Sequence, residues 1–344
     1  MLSRIAESLF WIGRYVERAD ATARILDVHY HMLLEDPWTD EEAACRTLLD
    51  VMGVDTDAPA PTRRTVNELL AYDEGSPSSI AGAWSCAREN ARGVRDSISS
   101  EMWESLNAAW HALKERRALA GASPALFFRM AKERAALFGG LADSTMSRDD
   151  AWRFLSLGRW LERVDMTCRL LSARWSDGSE SAGWVTTLRS CSGHEAYLRT
   201  YHRAVDTSLA AEFLVLDRLF PRSVYYALAL AERRLGELAP GAGRAGPGDD
   251  TRRLIGRART ELEFRTLDEL LLELPAVLAE VQAACAAASA SVAARYFSRH
   301  GDGSPGVGRH GDGSPGPGGH GDTAPAPGHV EPLGWTATRG RWRR

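Results

Sequence analysis

The sequence predicts an all-α protein: a helical bundle with an internal pseudo-symmetric repeat, followed by a disordered C-terminal tail. Three observations carry that prediction. Runs rich in Ala, Leu, Arg and Glu place apolar residues three and four apart, and no strand-like alternation bounded by turn residues interrupts them. The stretch FWIGRYVERADATARIL (10–26) returns as FLSLGRWLERVDMTCRLL (154–171). Gly13, Arg14, Glu17, Arg18, Asp20, Thr22, Arg24 and Leu26 find identical partners in Gly158, Arg159, Glu162, Arg163, Asp165, Thr167, Arg169 and Leu171, with no insertion. After Phe297 come three decamers, RHGDGSPGVG, RHGDGSPGPG and GHGDTAPAPG (299–328), almost without core residues. Such a segment cannot offset the entropy of ordering.

Helices are expected near 3–34, 77–119, 124–142, 147–175, 182–219 (broken), 221–238 and 251–297, with a short one inside 39–72. Ser76-Pro77 and Ser123-Pro124 each set a capping hydroxyl before a proline at the first helical position, where the missing N–H costs nothing. Pro221 is expected to open a further helix, and Ser147 to cap one with Asp150 three residues on. APGAGRAGPGDD (239–250) reads as a loop. The domain expectation is therefore 1–297 for the helical part, its repeat copies centred on 10–26 and 155–171, and 298–344 for the tail. His300, His310 and His320 recur in the tail with the decamer and are read as linker drift rather than a metal site.

Composition narrows the function classes. Of 344 residues 44% are hydrophobic and 26% charged, with a formal net charge of −4 and both signs interleaved. Nothing in that balance draws nucleic acid or an anionic membrane. The first residues carry charges inside their apolar patch, unlike a signal peptide. LLLELPAVLAEVQAACAAASASVAA (270–294) holds Glu273, Pro275 and Glu280, which favours a buried helix over a bilayer span. Five cysteines, at 45, 86, 168, 191 and 285, lack paired spacing and are expected as reduced thiols in the cytoplasm.

On a helix advancing about 100° per residue, Gly13, Glu17, Asp20 and Arg24 share one stripe roughly 60° wide, as do Gly158, Glu162, Asp165 and Arg169. Arg14, Arg18, Arg159 and Arg163 flank these stripes. The opposite sides carry Ile12, Tyr15, Ala19 and Leu26, matched by Leu157, Trp160, Val164 and Leu171. Arg14, Glu17, Arg18, Asp20, Arg24, Arg159, Glu162, Arg163, Asp165 and Arg169 thus form a candidate charged seam. A glycine inside a helix costs about 1 kcal/mol relative to alanine, so its reuse at one phase points to close approach of a helix or a ligand. Three readings stay open: solvated faces with local ion pairs, two copies whose charges satisfy each other between helices, or a ligand or catalytic site on the seam.

No metal or other cofactor is expected. The four seam acids resemble carboxylate di-metal bundles, but neither copy has the histidine three residues after its glutamate, and arginines adjoin the acids. Cys191-x-x-His194 supplies only two zinc ligands. Arg88, Arg92, Arg95 and Ser99 recur at helical spacing, so the three arginines are a candidate anion-binding face for carboxylate or phosphate, or a basic edge. His194, Arg199, Tyr201, His202 and Arg203 fit a helix with mixed polar faces equally well. The common phosphate-loop and nucleophile signatures are missing.

The doubled GR-[YW]-[VL]-ER-x-D-x-T-x-R resembles the bacterial alpha-E family, all-helical proteins named for a Glu-Arg motif. ARENARGVRDSISSEMWESLN and FLVLDRLFPRSVYYAL (213–228) look like other recurring stretches of that family, in the expected order, across roughly residues 1–297. By position the Glu-Arg signature falls on Glu17-Arg18 and Glu162-Arg163. The resemblance implies a setting more than a chemistry: such domains accompany, or are fused to, an ATP-grasp-type ligase and a transglutaminase-like protein in peptide-bond synthesis and trimming. It therefore implies a helical partner or scaffold that binds a protein or peptide. The rival expectation is an enzyme using the Glu/Arg seam as general base and anion clamp.

Overall fold

The computed structural model describes residues 2–35, 38, 40–55, 60–118, 123–176, 181–240 and 249–297, and every regular element among them is helical. In chain order these are α1 (Ser3–Glu35), α2 (Glu41–Met52), α3 (Arg63–Val66, continuing as a π-turn over Asn67–Tyr72) and α4 (Ile80–Arg92). A 3-10 turn (Arg95–Ser97) leads to α5 (Ser100–Ala118), α6 (Pro124–Thr145), α7 (Asp150–Ser176), α8 (Ser181–Ser190) and α9 (His194–Tyr201). Then come α10 (Thr207–Leu216), α11 (Val224–Leu238), α12 (Asp250–Glu263) and α13 (Leu267–Val292, ending in a π-turn over Ala293–Phe297). The expected tail, its histidines and most of the Gly-rich 239–250 segment lie outside the described residues.

Helices α1 and α7 carry the two motif copies and pack on each other at the centre. Helices α4 and α6 flank α1, with α5 joining them; α11 and α13 flank α7, with α12 joining them. The internal repeat therefore extends well past the motif, to two four-helix halves. Local details repeat as well. The Ser79 hydroxyl donates to the Asp73 carbonyl at 2.5 Å and accepts from the Gly82 N–H, capping α4. The Ser223 hydroxyl donates to the Asp217 carbonyl at 2.5 Å and accepts from the Tyr226 N–H, capping α11.

These caps correct several expected boundaries. The prolines at 77 and 221 belong to the preceding turns, because the serine two residues later takes the first orphan N–H groups. Asp149, not Ser147, caps α7, accepting from the N–H groups of Ala151 and Trp152. Ser123 holds the cap position before Pro124, but its side chain makes no capping bond. The single helix expected over 77–119 breaks after Arg92, where Gly93 and the 3-10 turn intervene. The one expected over 251–297 breaks at Thr266, which forms a capping box with Glu269. Helix α13 is long and apolar enough to cross a membrane by length and composition. Its stripe of Leu270, Leu274, Val277, Val281, Cys285, Ala288 and Val292 is nevertheless buried, and the helix packs on α7 and α12. At its end, Phe297 lies between Phe10 and Phe154, touching both motif helices.

Candidate functional site

The two motif glycines bring the central helices together. A Cβ on Gly13 would run into the carbonyl oxygen of Leu155, and one on Gly158 into that of Phe10. Each copy therefore supplies the gap that the other's backbone fills. This closeness buries not only Ile12, Ala19, Leu157 and Val164 but also Glu17, Arg18, Asp20 and Glu162, all of them under 6% exposed. Buried ions on that scale persist only when paired and hydrogen-bonded.

The pairing runs between the copies. Glu162 receives Nε of Arg14 at 2.6 Å and both Nε and Nη2 of Arg18, at 2.5 and 3.1 Å. Across the pseudo-twofold, Glu17 receives Nε and Nη2 of Arg163 at 2.7 and 2.6 Å. The spare Nη1 of Arg18 donates to the Pro77 carbonyl at 3.3 Å, and that of Arg163 to the Pro221 carbonyl at 3.3 Å. Their guanidinium carbons lie over the rings of Tyr15 and Trp160, at 5.6 and 4.7 Å. Burial alone would raise the pKa of either glutamate, but the arginines override it and hold both at about 2.

The halves then diverge. Arg222, from the turn before α11, donates to Glu17 at 3.1 Å and to Asp20 at 2.5 Å. Burial opposes its charge, yet Glu17 and Asp20 raise its pKa. With Arg222 in place, Arg159 does not bond Glu17 as Arg14 bonds Glu162; it faces Asp143 on α6 at 3.6 Å. Asp20 also accepts from Arg24 at 2.9 Å, as Asp165 does from Arg169 at 2.8 Å. The second oxygen of Asp165 accepts from the Gln282 amide at 3.2 Å, and Arg14 donates to the Ser289 hydroxyl at 2.9 Å, both partners lying on α13.

Between α1, α6, α7 and Arg222 lies a cavity of about 280 Å³, bordered by Glu17, Asp20, Arg159 and Arg163. All ten seam residues are thus placed on the central pair, whereas Arg222, Asp143, Gln282 and Ser289 come from flanking elements. Of those four, only Arg222 left a trace in the sequence, inside FPRS, where it follows a proline as Ser78 does in the first half.

The three other arginines do not form one face. Arg88 donates to Asn107 at 2.7 Å and pairs with Glu89 at 2.7 Å, while Arg92 is largely exposed and 3.6 Å from Glu89. Arg95 sits beyond the end of α4, its guanidinium 4.0 Å from the Trp103 ring centre. Ser99 is likewise off that helix and caps α5, accepting from the Met102 N–H. In the His194 segment, His202 ends α9 in the left-handed region and Tyr201 donates to Glu212 at 3.1 Å. The five cysteines are free, and burial pushes the Cys191 thiol up to about 11 and that of Cys285 to about 12.

Comparison with known proteins gives a family and relatives of unknown role. The profile of Alpha-E, described as a predicted alpha-helical domain with a conserved ER motif, matches residues 1–297. An uncharacterized protein of Mycobacterium bovis is 28% identical over 311 aligned positions, covering 81% of this chain and 35% of that protein. Uncharacterized proteins from two strains of Mycobacterium tuberculosis are 28% and 27% identical with the same coverage. The chain thus spans about a third of the length of these relatives. No solved structure matches it.

Proposed function

The chain belongs to the alpha-E family, and on that premise we propose that it is a binding or scaffolding component of a peptide- or amide-ligation system in the cytoplasm. Its partners in this reading are an ATP-grasp-type ligase and a transglutaminase-like protein, with a peptide as a further ligand. The observation that carries it is the saturation of the two seam glutamates. Glu17 and Glu162 each take two arginines and stay ionised down to about pH 2. A general base needs a pKa near the working pH and a free lone pair toward its substrate. A carboxylate locked between two guanidinium groups offers neither, but it does hold a rigid pair of helices from which flanking faces can be presented. The relatives' greater length supports a module working within a larger assembly, and the free thiols support a reducing compartment.

One observation favours the enzyme reading: the cavity beside Arg159 is lined by both motif copies. Co-expression with a bacterial ATP-grasp-type ligase separates the two. Co-elution of a stable complex on size exclusion is the expected result. Failure to associate, together with an amide-forming or amide-cleaving activity that Glu17→Gln abolishes without unfolding, would replace the scaffold by an enzyme.

A further inference from the structure

The cavity lies in the half around Glu17, and three positions of the flanking helices distinguish that half from the other. On α13, Gln282, Cys285 and Ser289 point at the seam: the first binds Asp165, the third binds Arg14, and the thiol between them feels the charges of both. On α6 the same spacing reads Ala136, Gly139 and Asp143, and all three line the cavity. A Cβ on Gly139 would lie 3.7 Å from Arg159 Nη1, and one on neighbouring Gly140 would meet nothing within 4 Å. At two of the three positions, Ala136 and Gly139, small residues have opened in the first half what Gln282 and Cys285 fill in the second.

Opening it leaves two polar groups short of partners. Oδ1 of Asp20 is buried with no hydrogen-bond donor, although the equivalent aspartate in the other half has the Gln282 amide. A buried carboxylate oxygen in that state is costly unless something supplies an N–H or O–H. Nε of Arg159 is likewise buried and unpartnered. Its ion pair with Asp143 is long at 3.6 Å, and Asp143 is half-exposed and shared with Arg148. One acceptor lacks a donor and one cation lacks a close anion, and the residues that carry them both line one cavity.

We propose that this cavity binds the zwitterionic end of a small α-amino acid, its ammonium toward Asp20 and its carboxylate toward Arg159. The walls carry both signs, Glu17, Asp20 and Asp143 beside Arg24, Arg159, Arg163 and Arg222, so a zwitterion answers both where a phosphate answers only one. The volume, about 280 Å³, lies just below the roughly 300–1,000 Å³ usual for larger small-molecule ligands. The site is independent of the partner reading above, since its test measures ligand uptake and not complex formation.

The full chain is titrated calorimetrically, and by saturation-transfer NMR, with L-alanine, L-serine, L-glutamate, acetate, methylammonium and inorganic phosphate. At least one amino acid binds saturably, and acetate and methylammonium bind at least tenfold more weakly. Arg159→Gln lowers that affinity at least tenfold. Ala136→Gln with Gly139→Cys, which installs the residues of the other half, abolishes binding while the melting temperature stays level or rises. No saturable uptake of any amino acid, tighter binding of phosphate, or full affinity in the filled-cavity variant would overturn the assignment.

Discussion

The halves built around Glu162 and around Glu17 use the same motif and end in different states. Around Glu162 the network closes on itself: Arg14 and Arg18 hold the carboxylate, and Ser289 and Gln282 take the remaining polar ends. Around Glu17 an outside arginine, Arg222, has entered, Arg159 has turned away, and a cavity has opened. A duplicated segment thus keeps its architectural bonds in both copies, while the flanking helices diverge. The Glu–Arg crossings are the shared, structural layer, and the α6 wall is where the two copies stop being equivalent.

The largest effects should fall on the shared layer. Removing one member of a buried ion pair costs about 3–5 kcal/mol, because the other is left uncompensated. Glu162→Gln strands Arg14 and Arg18, and Glu17→Gln strands Arg163 and leaves Arg222 to Asp20 alone, so each should lower the stability read from the urea midpoint by an amount in that range. The double variant should cost less than the sum, since both sites brace the same helix pair. A small effect of either substitution, or strict additivity, would mean that the two crossings are separate solvated pairs.

Next come the glycines. Gly13→Ala and Gly158→Ala each drive a methyl into a carbonyl of the partner helix, which no side-chain rotation relieves. Overpacking of this kind costs about 1–3 kcal/mol. That outweighs any gain in helix propensity, so both variants should melt lower, and by similar amounts if the pseudo-twofold holds. Calorimetric scans of the pair test the symmetry directly.

The repeat itself was plain in the sequence, and so were its consequences for α1 and α7: glycine at the close approach, acids and arginines along one stripe. Three things were not. Arg222 belongs to neither copy of the motif, and only the fold of the turn after Asp217 carries it to Glu17. Arg88, Arg92 and Arg95 share a face on paper because a helical wheel continues through Gly93, whereas the chain turns there and sends Arg95 to Trp103. Thr266-x-x-Glu269 is a legible capping box. It stood inside a run so rich in Leu and Glu that propensity alone argued for continuity. Local signals of stopping are short and are outvoted by composition unless searched for residue by residue.

Acid should expose the shared layer by another route. Glu17 and Glu162 have folded pKa values near 2 against an ordinary 4.5. Their stabilisation is complete above about pH 4.5 and is lost as pH falls toward 2. His29 acts earlier. Burial lowers its pKa from 6.5 to about 4, so the unfolded chain binds its proton first and stability falls as pH drops from 6.5 to 4. Urea midpoints measured from pH 7 to 3 should decline in two stages. His29→Gln should flatten the upper one, and Glu162→Gln the lower.

The smallest effect is the most discriminating, because it tests whether the divergence can be undone. Arg222→Ser gives the second half the small residue that Ser78 provides in the first. Hydrogen bonds to charged groups contribute about 1.5–3 kcal/mol, and Arg222 makes two. Glu17 nevertheless keeps the fork of Arg163, and Arg159 stands at the helix position from which its counterpart Arg14 bonds Glu162. If Arg159 swings onto Glu17, the net loss should stay below about 1.5 kcal/mol. Arg159→Gln, mild in the native background, should then become costly in the Arg222→Ser background. A double-mutant cycle from urea denaturation reads that coupling. Additive costs would show that Arg159 is held away from Glu17 by the geometry of α6 and not by the presence of Arg222. The two halves would then differ in their scaffold and not merely in one side chain.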